Sequence, residues 1–211
     1  AQALLQPHVD CDLSSIRYYQ ARRTSAFGVA SVISRTGYTG EDGFELTVAN
    51  ADAIGIWAKL IELGQAVSLR PCGLGCRDTL RLEAGMPLYG HEMDETVDPF
   101  TAGLSFGVKL DKGDFIGKSK LSELANRSDL RRRVGLQLEG KRIARQGSDL
   151  YSGQQKLGSV ASGTFSPTLE TSIAMGYVPA EFATSGTQIE VDIRGKREPA
   201  RVVALPFYQR S

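Results

Sequence analysis

The chain has 211 residues, of which 41% are hydrophobic, and its 25 Lys and Arg side chains are balanced by 24 Asp and Glu. This is the composition of an ordinary globular protein with enough apolar residues for one large or two modest cores, and it gives no bulk electrostatic case for nucleic acid or an anionic membrane surface. No apolar run approaches the roughly 20 residues needed to cross a bilayer, and three cysteines (Cys11, Cys72, Cys76) with two histidines (His8, His91) make neither an even disulfide framework nor a metal-ligand spacing.

The opening AQALLQPHVD lacks the basic-then-apolar layout of a signal peptide. The chain starts at Ala1 without an initiator Met, so a fragment of a longer protein is expected. Residues 15–20 and 27–35 read as two strands, the second because FGVASVI is rich in β-branched residues. The segment RTGYTGEDGFE follows, with three glycines, a tyrosine and three acids in ten residues after Arg35. Such a loop is held in a demanding backbone shape, either as a plain tight turn or as one wall of a small-molecule site. It has no Lys-Ser/Thr after it and no GxGxxG spacing, so it does not read as a phosphate cradle.

Residues 44–48 alternate as a third strand, placing Phe44 and Glu45 on opposite faces, so Glu45 meets either solvent or a cleft. A carboxylate in a cleft could accept paired N–H donors from an amidine-like heterocycle edge, such as that of a pterin. Residues 51–63 repeat apolar side chains at helical spacing, with Asn50 or Asp52 placed as cap and Gly64 as terminator. A second helix is expected from just after Pro71 to Glu83, with Gly85 and Pro87 as breakers. On it Arg77, Asp78, Arg81 and Glu83 form either a surface ion-pair ladder or part of a site, and Gly73 and Gly75 suggest close packing or close backbone approach. Tyr18, Tyr19 and Tyr38 could stack on a flat ligand, although one of an adjacent pair on a strand usually enters the core.

A short helix is expected over 118–125. Residues 126–133 are polar and basic without interleaved aromatics, which suits a solvated connection better than a nucleic-acid patch. Beyond them, apolar alternation recurs in VGLQL, KLGSV, IAMGYV, QIEVDI and ARVVAL, separated by Gly, Ser and Pro. Five or six short strands of this kind indicate a small antiparallel barrel or sandwich. SGTFSPTL has hydroxyls with no adjacent His or acid, and reads as a turn rather than a nucleophile; His91 reads as structural or solvent-facing. The expected fold class is therefore α+β, with an α+β part over 1–127 and a β-barrel over 128–211.

Five ordered motifs resemble the aminomethyltransferase, or T-protein, family of the glycine cleavage system: RTGYTGEDGFEL, CGLGCRDTLRLEAGMPLYGHEMDE, FIGK, SGTFSPTL and the ending LPFYQR. Family resemblance implies that 1–127 is the C-terminal part of a folate-binding α+β domain and 128–211 the C-terminal barrel. It implies transfer of the methylene unit of an aminomethyl group, carried on the lipoyl arm of H-protein, to tetrahydrofolate, with release of ammonia. By motif position Glu45 would hold the pterin edge, Arg77 would sit beside the folate, Arg210 would complete the pocket, and Tyr18, Tyr19 and Tyr38 would line it. Met86 stands where relatives can carry an aromatic. The family's catalytic aspartate belongs to a region preceding these motifs, so no catalytic residue is assigned within this chain and Asp78 is not put in its place. H-protein and folate are the implied partners, with no nucleic acid, membrane or metal, in the bacterial cytoplasm or, for a eukaryotic source, the mitochondrial matrix. The alternatives are a non-catalytic binding module and a related folate-dependent methyl or methylene transferase or demethylase.

Overall fold

The β-branched residues of VASVIS and the alternating ELTV behave as their composition demands, forming the centre and one edge of a three-stranded antiparallel sheet. The computed structural model describes residues 1–210. It divides into two compact units, one comprising Ala1–Arg77 with Arg210, the other running from Asp78 to Gln209.

In the first unit, α1 (Gln2–Leu5) leads through short 3₁₀ turns to β1 (Ala21–Ala26), β2 (Val29–Ser34), β3 (Glu45–Val48) and α2 (Asn50–Gly64). Leu5, Leu13, Ile16, Ala26 and Ile33 form its buried core, with Phe44, Leu46 and Leu60 packed against them. The strand expected over 15–20 is not there. Residues 13–15 form a 3₁₀ turn capped by Asp12, and Tyr18 and Tyr19 occupy a β-turn closed by Gln20 N–H on the Arg17 carbonyl. The actual first strand, ARRTSA, has no apolar alternation and takes its extended form from pairing along its whole length with β2. The connection is the two-residue turn Phe27–Gly28, with φ of 53° and 81°. Helix α2 has the expected extent, but Ala49 is its N-cap residue and no side chain caps it.

The helix expected after Pro71 is α3 (Leu74–Glu83), and its last turn lies in the second unit. It ends in a Schellman arrangement: Met86 N–H donates to the Arg81 carbonyl and Gly85 N–H to the Leu82 carbonyl, each at 2.8 Å, with Gly85 at φ 66°. Helix α4 (Lys118–Ala125) follows as expected. Then β4 (Arg132–Leu138), β5 (Asp149–Ser152), β6 (Gln155–Ser166), β7 (Thr171–Val178), β8 (Gln188–Ile193) and β9 (Lys196–Val203) close into an antiparallel barrel, in the order β4-β7-β6-β5-β8-β9.

Period-two alternation explains both layers around this barrel. Val134, Leu136 and Leu138 of β4 and Ile189, Val191 and Ile193 of β8 point inward and fill it. On β7 the parity splits the apolar side chains. Ala174 and Val178 face inward, whereas Ile173 and Met175 face outward and bury Leu82 of α3 together with Leu205 and Phe207. The barrel thus carries a second apolar face that receives the end of α3. Two expectations change here. Arg132 and Arg133 belong to β4 rather than to a solvated connection, and Arg133 donates to the carbonyls of Gly85 and Ala102. Strand β5, DLYS, had no apolar run to mark it.

Among the described residues no helix is long and apolar enough to cross a membrane.

Candidate functional site

The glycine-rich loop over 36–43 is locked at its base by Arg35. The guanidinium donates to both carboxylate oxygens of Asp42, at 2.7 and 2.8 Å, and to the Ile16 carbonyl at 3.3 Å, and it lies 5.5 Å from the Phe44 ring centroid. The two-pronged fit uses the planar fork of arginine against a carboxylate seven residues away. These hydrogen bonds hold the Asp42 carboxyl below the usual carboxylate range and raise Arg35 further. Sequence reasoning passed over this pair, although its signal was visible: an arginine and an acid bracketing a glycine-rich loop.

All six residues singled out in the sequence fall in the first unit. Glu45 opens β3 opposite Ser34 of β2, next to Arg35. Phe44 is half-buried against the core while the Glu45 side chain is exposed, as strand parity requires. Glu45 makes no side-chain hydrogen bond or ion pair with the described residues, so its oxygens are open acceptors. Tyr19 N–H donates to the Arg35 carbonyl at 2.9 Å, which ties the tyrosine turn to the same end of the sheet. Both rings of that turn face outward, 44% and 75% exposed, with centroids 4.3 Å apart, so neither enters the core as a strand would have required. Tyr19 takes φ of 64°, a backbone form that a Cβ-bearing residue rarely adopts. Partial burial, then the neighbouring Tyr19, raises the Tyr18 hydroxyl above its ordinary value.

Within the loop, Tyr38 lies under the Arg77 guanidinium, 4.6 Å from its centroid. Arg210 Nη1 pairs with Glu41 at 2.8 Å. One loop therefore joins Tyr38 with Arg77 and Glu41 with Arg210, and its base adjoins Glu45 and the tyrosine turn. This surface offers a free carboxylate, aromatic faces and two cations. It can accept paired N–H donors, stack on a flat ring and balance negative charge on a ligand. Gly73 and Gly75 play no close-packing part, since a Cβ at either would meet open space.

In the second unit, two side chains of α3 that the sequence placed on a surface ladder, Arg81 and Glu83, are buried. Arg81 pairs with Glu92 and donates to Ser162, and Glu83 accepts from the hydroxyls of Ser166 and Thr168. The SGTFSPTL motif is thus only partly a turn. Ser162 and Ser166 lie at the end of β6, where their hydroxyls serve the buried Arg81 and Glu83. His91 is exposed, and its Nδ1 lies 3.4 Å from the Ala161 carbonyl. Among the described residues no cluster of His, Cys, Asp and Glu is placed to hold a metal ion.

The GCVT N-terminal domain model matches residues 1–112, and the glycine cleavage T-protein C-terminal barrel domain model matches residues 131–209. Aminomethyltransferases of Streptomyces avermitilis and Bacillus cytotoxicus are 51% and 45% identical over 98% and 100% of this chain. The crystal structure of the glycine cleavage system aminomethyltransferase T from Bartonella henselae superimposes with a TM-score of 0.84 at 32% identity, covering 99% of this chain. The chain spans 57 to 58% of the length of these relatives. With both halves matched by the family's own domain models and the barrel closed as they describe, the chain belongs to the glycine cleavage T-protein family.

Proposed function

We propose that the protein acts as a tetrahydrofolate-dependent aminomethyltransferase in glycine breakdown, and that this chain contributes the wall that recognises the folate. The observation that carries the reading is Glu45: an exposed carboxylate without a protein partner, set beside an arginine-locked loop that carries Tyr38. A pterin presents a ring N–H and an exocyclic amine side by side, and a carboxylate is the acceptor that matches both. Tyr18, Tyr19 and Tyr38 supply flat faces against the heterocycle. Arg77 and Arg210 supply charge for the acidic end of a folate. Relatives named aminomethyltransferase support the reaction type. H-protein, with its lipoyl-borne aminomethyl group, is proposed as the donor and ammonia as the second product. The functional division is proposed at 127/128, in the polar stretch between the segments that the two family models match.

The residues described here perform recognition: they orient the heterocycle and shield it from water. No proton transfer is assigned to them. The test is titration of tetrahydrofolate into the full-length protein and its Glu45→Ala variant. Loss of the carboxylate leaves a donor pair of the ligand unsatisfied, so binding is expected to weaken by about 1–3 kcal/mol, roughly tenfold to a hundredfold. Equal affinity in the two proteins removes Glu45 from the site. Exchange of the glycine carboxyl carbon with the other three components of the system present tests the reaction itself, since a relative acting on another one-carbon donor gives no exchange.

A further inference from the structure

We propose that the end of the barrel carrying the β8–β9 hairpin holds a second binding site, one for a small anion bearing two or more phosphate groups. A cleft of about 590 Å³ opens there between the segment that follows β4 and the β8–β9 turn. Its apolar lining is Ile143 and the buried Ile193. Its polar lining is Lys141, Arg142, Arg145, Ser148 and Arg194. A concavity of this size, lined by two apolar side chains and four cations, suits a small ligand better than a flat protein surface.

The acids close by are already engaged. Glu198 pairs with Arg142 at 3.2 Å, Asp149 pairs with Lys156 at 2.8 Å, and Asp192 accepts the Gly195 N–H at 2.7 Å with Arg197 at 3.8 Å. Lys141, Arg145 and Arg194 are left without a carboxylate partner among the described residues. Three uncompensated cations around one cleft attract an anion of more than one charge, and two arginine forks match the oxygens of a phosphate chain better than a lone carboxylate does.

The frame that presents them is stiff. Arg145 begins a tight turn in which Ser148 N–H donates to the Arg145 carbonyl at 3.0 Å and Gly147 takes φ of 84°. Gln146 of that turn donates to the Gly90 carbonyl at 3.1 Å, and Gly147 N–H to the Val160 carbonyl of β6. Arg194 is held by the hairpin turn itself. It occupies the first position of a two-residue hairpin turn at φ of 57°, followed by Gly195 at 78°. That position favours Gly, Asn or Asp. Phe27 takes the same position in the β1–β2 turn at φ of 53°, so the turn sets the backbone; what distinguishes Arg194 is that the turn places it on the lining of the cleft.

The test is calorimetric titration of the full-length protein with sodium tripolyphosphate at moderate salt, comparing Arg145→Gln, Arg194→Gly and, as a charge control on β1, Arg22→Gln. Arg194→Gly relieves the backbone while removing the cation, so it keeps the fold, which a thermal melt verifies. Saturable 1:1 binding is expected, weakened roughly tenfold by each cleft substitution and unchanged by Arg22→Gln. A parallel titration with ATP identifies the source: tighter binding than tripolyphosphate marks a nucleotide site, equal binding a site for the phosphate chain alone. Non-saturable heats, or the same affinity in Arg194→Gly as in the parent protein, overturn the proposal and leave the cations as a solvated face. The outcome is independent of tetrahydrofolate binding by the first unit.

Discussion

Arg81 and Glu92 form an ion pair sealed from solvent: Nη1 meets Oε2 at 2.6 Å, and the side chains are 1% and 0% exposed. Arg81 also donates to Asp78, to Ser162 and to the Met86 carbonyl, while the same Glu92 oxygen accepts the Leu88 N–H. The pair therefore fastens the end of α3 to the segment over 88–92 and to β6. Removing one partner strands a charge in the interior. Arg81→Leu is expected to cost about 3–5 kcal/mol in denaturant unfolding, and adding Glu92→Leu is expected to return part of that loss. Strictly additive losses in the two single variants and the double variant would show that the two charges do not depend on each other.

Gly85 ends α3 at φ of 66°, and a Cβ there would come within 3.1 Å of the Leu205 side chain and 3.3 Å of the Pro206 backbone. Both the left-handed conformation and the close approach demand glycine. Gly85→Ala is expected to lower stability by about 1–2 kcal/mol, the penalty for a Cβ in this backbone region, with any shift of Leu205 adding to it. An unchanged unfolding midpoint would mean that the helix end rearranges freely.

Where a residue's partner is local, the sequence revealed the structure. Gly85 as a helix terminator, the helices over 51–63 and 118–125, and the strands with apolar alternation all follow from neighbours a few positions away. β1 was misplaced because ARRTSA owes its extended form to β2, and β5 was missed because four residues with one buried leucine carry no period. The same limit governs the candidate site. Strand parity showed that Glu45 must leave the core, and the motif pointed to Tyr38 and Arg77. Nothing in residue spacing revealed that Arg81 is buried, since its partners Glu92 and Ser162 lie 11 and 81 positions away. Helical spacing next to Arg77 made the two arginines look alike, yet one is exposed and the other sealed.

The Arg35–Asp42 pair gives the loop over 36–43 a pH dependence with a definite sign. Asp42 is held below its ordinary value of 3.8 by the Arg35 hydrogen bonds. A depressed carboxyl contributes order that is fully present above the unfolded-chain value and is lost as pH falls through the lower folded value. Backbone amide exchange over 36–43, measured against that of β7, is expected to stay protected at neutral pH and to accelerate selectively below about pH 4. In Asp42→Asn the loop should already exchange faster at neutral pH and show no further selective change on acidification. Persistence of the acid response in that variant would assign it to another carboxylate.

Tyr177 supplies the opposite end of the pH scale. Its hydroxyl donates to the Glu92 carbonyl at 2.5 Å, and burial pushes its pKa up to about 12 from 10.0. Between those values the unfolded chain gives up the proton while the folded chain keeps it. The stabilisation is complete below pH 10 and is lost as pH rises toward 12. Two full pKa units correspond to about 2.7 kcal/mol, but the half-buried side chain is partly screened by water, so about 1 kcal/mol is expected. Tyr177→Phe should remove that alkaline component and cost about 1 kcal/mol at neutral pH, because the Glu92 carbonyl loses its donor. Denaturant unfolding at pH 8 and pH 11 in both proteins separates the two effects, and equal alkaline losses in parent and variant would place the titrating group elsewhere.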